Sequence, residues 1–269
     1  MKQVFLISLF ICTTNLIFAV QEITIVTHNV LPPYCFSDSN GELTGIYIEI
    51  VKKAISMIPG YSVSFEILPW ARAKVKVKKG MAFAILPPYH HAHDWLTDEE
   101  PKRPYSVPLF TQHDVVIFNE KALTKPMNNY PVDLKGLTVA MLRGDGRAGV
   151  EFSKMVDLKE VKLHLLNDNK NIISFLLSGR ADCAIMSSAT FSWYVKQMKE
   201  SGEYQKLNKG VVLKEGMVIG SNKGYLGYTD INDEKNYPYK KDFSVKFNIV
   251  INKMKRSGEI QQITESFIK

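Results

Sequence analysis

The sequence predicts an α/β protein built as two lobes of related wiring, and three observations carry that prediction. A helical stretch, a glycine and a buried apolar strand follow one another in each half, at Gly80-Met-Ala-Phe-Ala-Ile-Leu86 and at Gly179-Arg-Ala-Asp-Cys-Ala-Ile-Met186. Two further runs, His113 to Phe118 and Val211 to Ser221, read as strands that border the second half. A short apolar leader at the amino terminus marks the chain for export.

The leader occupies residues 1–19. Lys2 supplies the positive start, Val4 to Phe18 is mostly apolar, and Ala19 is a small residue at the expected cleavage point. The apolar run is short for a membrane span, which needs roughly 20 residues, and Asn15 interrupts it. Bulky Ile11 before Cys12 argues against a lipoprotein site. The expected product is a soluble exported chain of 250 residues with a net charge of +6, periplasmic in a two-membrane bacterium. That length supports a sizeable core. No dense basic run accompanies the positive charge, so nucleic acid is excluded as a partner; Lys74, Lys76, Lys78 and Lys79 read as a solvated face. Cys35 and Cys183 are the two thiols left after processing.

The mature chain opens with a β-branched strand, Ile23 to Thr27. Pro32-Pro33 ends that strand and sets an extended loop. Asp38-Ser-Asn-Gly41 is a turn, because Asn-Gly tolerates positive φ. Gly45 opens a helix whose Tyr47, Ile50, Val51, Ala54, Ile55 and Ile58 recur at three and four. Pro59-Gly60 stops it. Tyr61 to Ile67 alternates toward a second strand. From Trp70 to Gly80 a helix is expected, although Val75-Lys-Val77-Lys also suits a strand; Gly80 punctuates it before the strand Met81 to Leu86. Pro87 to Asp94 forms a loop.

In the second half, Leu134 to Gly144 contains a strand, and Gly144-Asp-Gly146-Arg147 turns the chain into a helix. Val161 to Leu166 reads as a strand and Asn169 to Ser178 as a helix. Tyr225 to Lys241 reads as a loop. Phe243, Phe247, Val250 and Met254 stripe a helix, and Ile260, Ile263 and Phe267 a last one.

Several of these stretches, in this order, resemble the solute-binding proteins of polar amino-acid importers, extracellular solute-binding protein family 3. They are the strand, Pro-Pro-aromatic loop, Asn-Gly turn and Gly-led helix of residues 23–58, and Tyr105-Ser-Val-Pro108-Leu-Phe110. They continue with Leu134-Lys-Gly-Leu-Thr-Val-Ala-Met-Leu-Arg-Gly144 and the closing Asn252-Lys…Gly258-Glu-Ile260. The resemblance covers nearly the whole mature chain. It implies a two-lobed periplasmic-binding-protein fold of type II, with two crossing strands as hinge. Lobe 1 would comprise residues 20–113 and 217–269, and lobe 2 residues 114–216. It also implies a monomer that captures a small polar solute between the lobes, closes by hinge motion, and delivers it to an ABC permease in the inner membrane. No cofactor is expected. Cys35 and Cys183 then lie in different lobes, so two free thiols are expected rather than a disulfide.

Ligand sites in such sheets lie beyond the carboxyl ends of strands, which selects His28, Pro88, Tyr89, His91, Asp94, Gly146, Ser187 and Ser188. By resemblance Trp70 is an aromatic wall of the cleft; Tyr34 is left between cleft wall and core. Arg72 faces either the cleft or the surface. Asp145, Gly146 and Arg147 lie at an expected helix start, a seat for a carboxylate or other anion, with Arg143 or Arg147 as a bidentate partner.

The departures from the family are as informative. The arginine that grips an α-amino acid's carboxylate falls here on Asp94 or Trp95. The aspartate that holds its ammonium falls on Ser187, and an aspartate common at the end of the first strand is His28. Leaving a buried charge unpaired costs ~3–5 kcal/mol, so the usual grip on an α-amino acid is not expected. His90, His91, His93 and Asp94, with His28 or His113, also raise a metal site, but no defined ligand spacing is met and a polar cleft loop is the preferred reading. Two other functions stay open. Cyclohexadienyl dehydratases resemble this family, and His28, His91 and Asp94 are a set suited to proton transfer. A soluble sensor subunit for a membrane receptor would have the same sequence features.

Overall fold

The structure is a computed structural model that describes residues 20–89, 104–122 and 127–269. The leader, His90, His91, His93, Asp94 and Trp95 lie outside the described residues. Among the described residues no helix is long and apolar enough to cross a membrane.

The first lobe is organised on β1 (Gln21–Thr27), whose Ile23, Ile25 and Val26 are fully buried. The chain then forms a small antiparallel sheet, β2 (Val30–Leu31), β3 (Cys35–Ser37) and β4 (Leu43–Thr44), where an extended loop is expected. The expected turn closes it: the Asp38 carboxylate accepts from the Asn40 and Glu42 N–H groups, both at 2.9 Å. Helix α1 (Ile46–Ser56) buries the Tyr47, Ile50, Val51, Ala54 and Ile55 stripe. Gly45 precedes it at φ +124°, and a Cβ there would stand 2.5 Å from the Tyr34 carbonyl oxygen. Only glycine satisfies both demands.

Next come β5 (Tyr61–Ile67), α2 (Trp70–Lys78) and β6 (Ala84–Leu86). Helix wins over strand at α2 because Ala73 and Val77, four apart, are buried together while Val75 is exposed. Strand β1 lies between β5 and β6, parallel to both.

Two long strands, β7 (Phe110–Asn119) and, later in the chain, its antiparallel partner, run between the two cores. The second lobe follows β7: β8 (Thr138–Leu142), α3 (Gly149–Asp157), β9 (Lys162–Leu166), α4 (Asn169–Leu177) and β10 (Cys183–Ser187). The Asp168 side chain caps α4 by accepting from the Asn171 N–H at 2.7 Å. Helices α5 (Ser188–Glu200) and α6 (Glu203–Leu207), in a stretch the sequence analysis leaves unread, then pack on α4. Strand β11 (Leu213–Gly224) returns alongside β7, giving a five-stranded sheet in the order β11-β7-β10-β8-β9.

The stretch read as a loop, Tyr225 to Lys241, adds β12 (Gly227–Tyr228) to the edge of the first sheet, giving β12-β6-β1-β5, and then α7 (Asp233–Asn236). Tyr228, Tyr237 and Tyr239 surround the Phe83 ring at 5.1–5.4 Å. A two-residue edge strand has no periodicity to read; the open edge of β6 creates it. Helices α8 (Lys240–Arg256) and α9 (Glu259–Ile268) end the chain against α1. Cys35 and Cys183 are buried free thiols, as expected.

Candidate functional site

The two long strands form the floor between the lobes. Gln112 on β7 stands opposite Asn222 on β11. Gln112 and Asp114 are two apart on one strand, so they share a face; both are buried, at 6% and 4% exposure. The Gln112 amide donates to the Tyr89 hydroxyl at 2.5 Å and the Tyr47 hydroxyl at 3.2 Å, both in the first lobe. Asp114 instead engages the second lobe. Its carboxylate accepts from Arg147 at 2.5 Å and from the Asn222 amide at 3.3 Å. Arg147 also donates through Nε to Asp145 at 2.6 Å. Burial raises the Asp114 carboxyl above the usual range, and the Arg147 charge offsets this in part.

Two side-chain hydrogen bonds among the described residues join the lobes directly: one between the Tyr34 and Ser187 hydroxyls, and one from the Lys196 ammonium on α5 to the Ser266 carbonyl on α9 at 3.0 Å. The Tyr34 ring is core, at 2% exposure, and only its hydroxyl reaches the interface. Burial raises that phenol's pKa; the bond to Ser187 acts against it. Ser187 is also the cap of α5, accepting from the Thr190 N–H at 3.4 Å. Further along α5, Trp193 meets Phe36 of β3 edge-on at 5.4 Å.

At the carboxyl end of β1, His28 and Trp70 meet edge-on with ring centres 5.2 Å apart. The His28 Nδ1 is buried and has no partner among the described residues. Burial lowers the pKa of this imidazole. Cys35 holds the same turn, donating to the His28 carbonyl at 2.8 Å, with its thiol pushed up to about 11 by burial.

The structure brings together His28 with Trp70, Tyr34 with Ser187, and Asp145 with Arg147. Tyr89 joins through Gln112, and Pro88 is buried beside it, its carbonyl accepting from the Tyr225 N–H at 3.3 Å. Other candidates lie elsewhere. Arg72 is exposed and lines a surface cavity of about 410 Å³ with Val75, Lys79 and Met81. Arg143 is exposed and donates to the Asn167 side chain at 3.2 Å. Ser188 donates to the Glu215 carboxylate at 2.8 Å. His91 and Asp94 lie outside the described residues.

At Gly144 to Arg147, where an anion seat at a helix start is expected, the chain makes a turn instead. Helix α3 begins later, at Gly149. The N–H groups of Asp145, Arg147 and Gly149 already donate to the Leu142 carbonyl, the Asp145 carboxylate and the Gly146 carbonyl. Gly146 itself is exposed. Sequence reading missed Tyr47, Gln112, Asp114 and Asn222. The available signal was two polar residues, Gln112 and Asp114, spaced by two just before the apolar run Val115 to Phe118.

No family model matches the chain, and no curated protein matches it significantly. Solved structures do match over nearly its full length. An ancestral cationic amino acid solute-binding protein is similar at 18% identity and a TM-score of 0.66, covering 92% of this chain and 96% of its own. The second substrate-binding domain of Lactococcus lactis GlnP, in open conformation, matches at 14% identity and a TM-score of 0.62, covering 93% and 98%. A histidine kinase sensor domain similar to periplasmic binding proteins matches at 16% identity and a TM-score of 0.55, covering 93% and 96%. The chain therefore has the two-lobed type II fold of the substrate-binding domains that serve amino-acid ABC transporters.

Proposed function

We propose that this protein is an exported solute-binding protein that captures a small polar solute between its lobes and hands it to an ABC permease in the inner membrane. The observation that carries this reading is the convergence of polar side chains from both lobes on one floor, with Gln112 and Asp114 buried and Tyr89 and Arg147 half-buried. Tyr89 and Gln112 approach from one side, Asp114 and Arg147 from the other. Buried polar groups persist where partners satisfy them, and here the partners come from two bodies that a hinge can separate. The similar solute-binding domains support the reading. In it residues 1–19 are a cleaved signal peptide, the mature chain is a periplasmic monomer, and the lobes divide near Asp114 and Met217. The cleft holds the solute for transfer, not turnover.

The test is calorimetric titration of the mature protein with a panel of amino acids, carboxylates and amines, paired with small-angle scattering. A solute that binds and shrinks the radius of gyration upholds the reading. Binding with no compaction, or turnover of a panel member, rejects it. Co-purification with a receptor kinase and no permease would move the protein to the sensing role that one structural neighbour represents.

A further inference from the structure

We infer that the solute is an organic cation, seated on the carboxylates of Asp114 and Asp145 among the phenols at the cleft floor. This inference rests on the solute-binding reading above and specifies its ligand class.

The first argument is charge. Arg147 is the guanidinium in contact with the floor, and it faces two carboxylates, Asp114 at 2.5 Å and Asp145 at 2.6 Å. One cation against two anions leaves one negative charge among these described groups. His28 adds no positive charge at neutral pH, because burial lowers its pKa. His113 is exposed, on the opposite face of β7 from Asp114.

The second argument is donor capacity. A guanidinium that receives a ligand carboxylate does so through a free fork of N–H groups. In Arg147 one N–H on each side of that fork is already engaged, Nε by Asp145 and Nη1 by Asp114. The neighbouring N–H groups of Asp145, Arg147 and Gly149 are bonded within the loop. That guanidinium and those three N–H groups therefore offer an anion little, whereas Asp114 and Asp145 keep lone pairs for further donors.

The third argument is the surroundings. Tyr34 and Tyr89 both lie close enough to Arg147 for their phenols to feel its charge. Phenol rings and oxygens favour a cation. At the end of β1 the His28 ring meets Trp70 edge-on, and its Nδ1 has no hydrogen-bond partner among the described residues, a polar atom beside an aromatic wall. Arg147 then acts as an internal counter-ion that keeps the acidic floor intact when no solute is present, not as a carboxylate anchor.

The deciding titration uses the full mature chain with lysine, 1,5-diaminopentane, norleucine and glutamate. Cation seating predicts that lysine and the diamine bind at least about tenfold tighter than norleucine, the difference expected for one charge-assisted contact. Norleucine or glutamate binding as well as lysine would overturn the inference while leaving the solute-binding reading in place. No binding by any of the four, nor by the wider panel, would overturn both. The Arg147→Gln variant gives the sign independently. Loss of the internal cation tightens lysine binding here, whereas a carboxylate anchor predicts its loss. Should that variant fail to fold, Asp145→Asn retains the Arg147–Asp114 pair and is expected to weaken lysine at least about tenfold with norleucine unchanged; equal weakening of both would overturn the inference.

Discussion

Gln112 and Asn222 stand opposite one another on the two crossing strands, yet they hold different lobes. Gln112 donates to the Tyr47 and Tyr89 phenols of the first lobe, and Asn222 to the Asp114 carboxylate beside Arg147 of the second. The crossing strands thus carry a polar register pair whose two members bond to different lobes. Replacing Gln112 by Ala strips a donor from the buried Tyr47 phenol and the half-buried Tyr89 phenol. A loss of about 1–3 kcal/mol is expected, read from the urea midpoint at unchanged m-value. A silent variant would show that these phenols find other partners.

Tyr34→Phe removes one hydroxyl and little else. Because the bond to Ser187 joins the lobes, its loss falls on the closed form. We expect about 1 kcal/mol, enough to raise the open fraction several-fold. Small-angle scattering of the ligand-free variant should show a larger radius of gyration than the parent; an identical curve would remove this bond from the closure balance.

Arg147→Met leaves the buried Asp114 and the neighbouring Asp145 without their cation. Breaking such a pair from one side costs about 3 kcal/mol, measured by urea denaturation at neutral pH. Burial already raises the Asp114 carboxyl, so acidification protonates it and recovers part of the loss. A variant equally destabilised at neutral and mildly acidic pH would contradict the assignment.

His28 gives a pH signature. Burial lowers its folded pKa below the ordinary 6.5. The unfolded chain therefore takes up a proton first, and stability falls as pH drops from 6.5 toward the folded value. His28→Gln should flatten that part of the curve. Denaturation midpoints measured from pH 7.5 down to 5 for both proteins check it; superimposable slopes would refute it.

Gly45→Ala tests the helix start. The left-handed φ and the Tyr34 carbonyl at 2.5 Å act together, so a loss of about 2–4 kcal/mol is expected. Gly41 has a similar φ of +83° with open space around it. Its alanine variant should lose only about 1–2 kcal/mol. Equal losses would mean that φ alone decides both.

Local order was legible in the sequence wherever a period or a breaker was strong. The stripe of α1, the Asp38–Gly41 turn, the strand β5 from Tyr61 to Ile67 and the strand character of His113 to Phe118 all follow from side-chain spacing and backbone limits. Their order then implied two lobes. What only the tertiary structure decided is which polar groups meet. Tyr34 was equally fit for core or cleft, and folding places its ring in one and its hydroxyl at the other. Arg147 looked free to bind an anion until Asp114, 33 residues earlier, closed on it. Arg72 and Arg143 have the right chemistry but face solvent. Strand β12 exists because β6 offers an edge. Spacing along the chain is a one-dimensional quantity and dictates elements. Contacts such as Gln112 with Tyr47, 65 residues apart, depend on how those elements pack, and the site is made of such contacts.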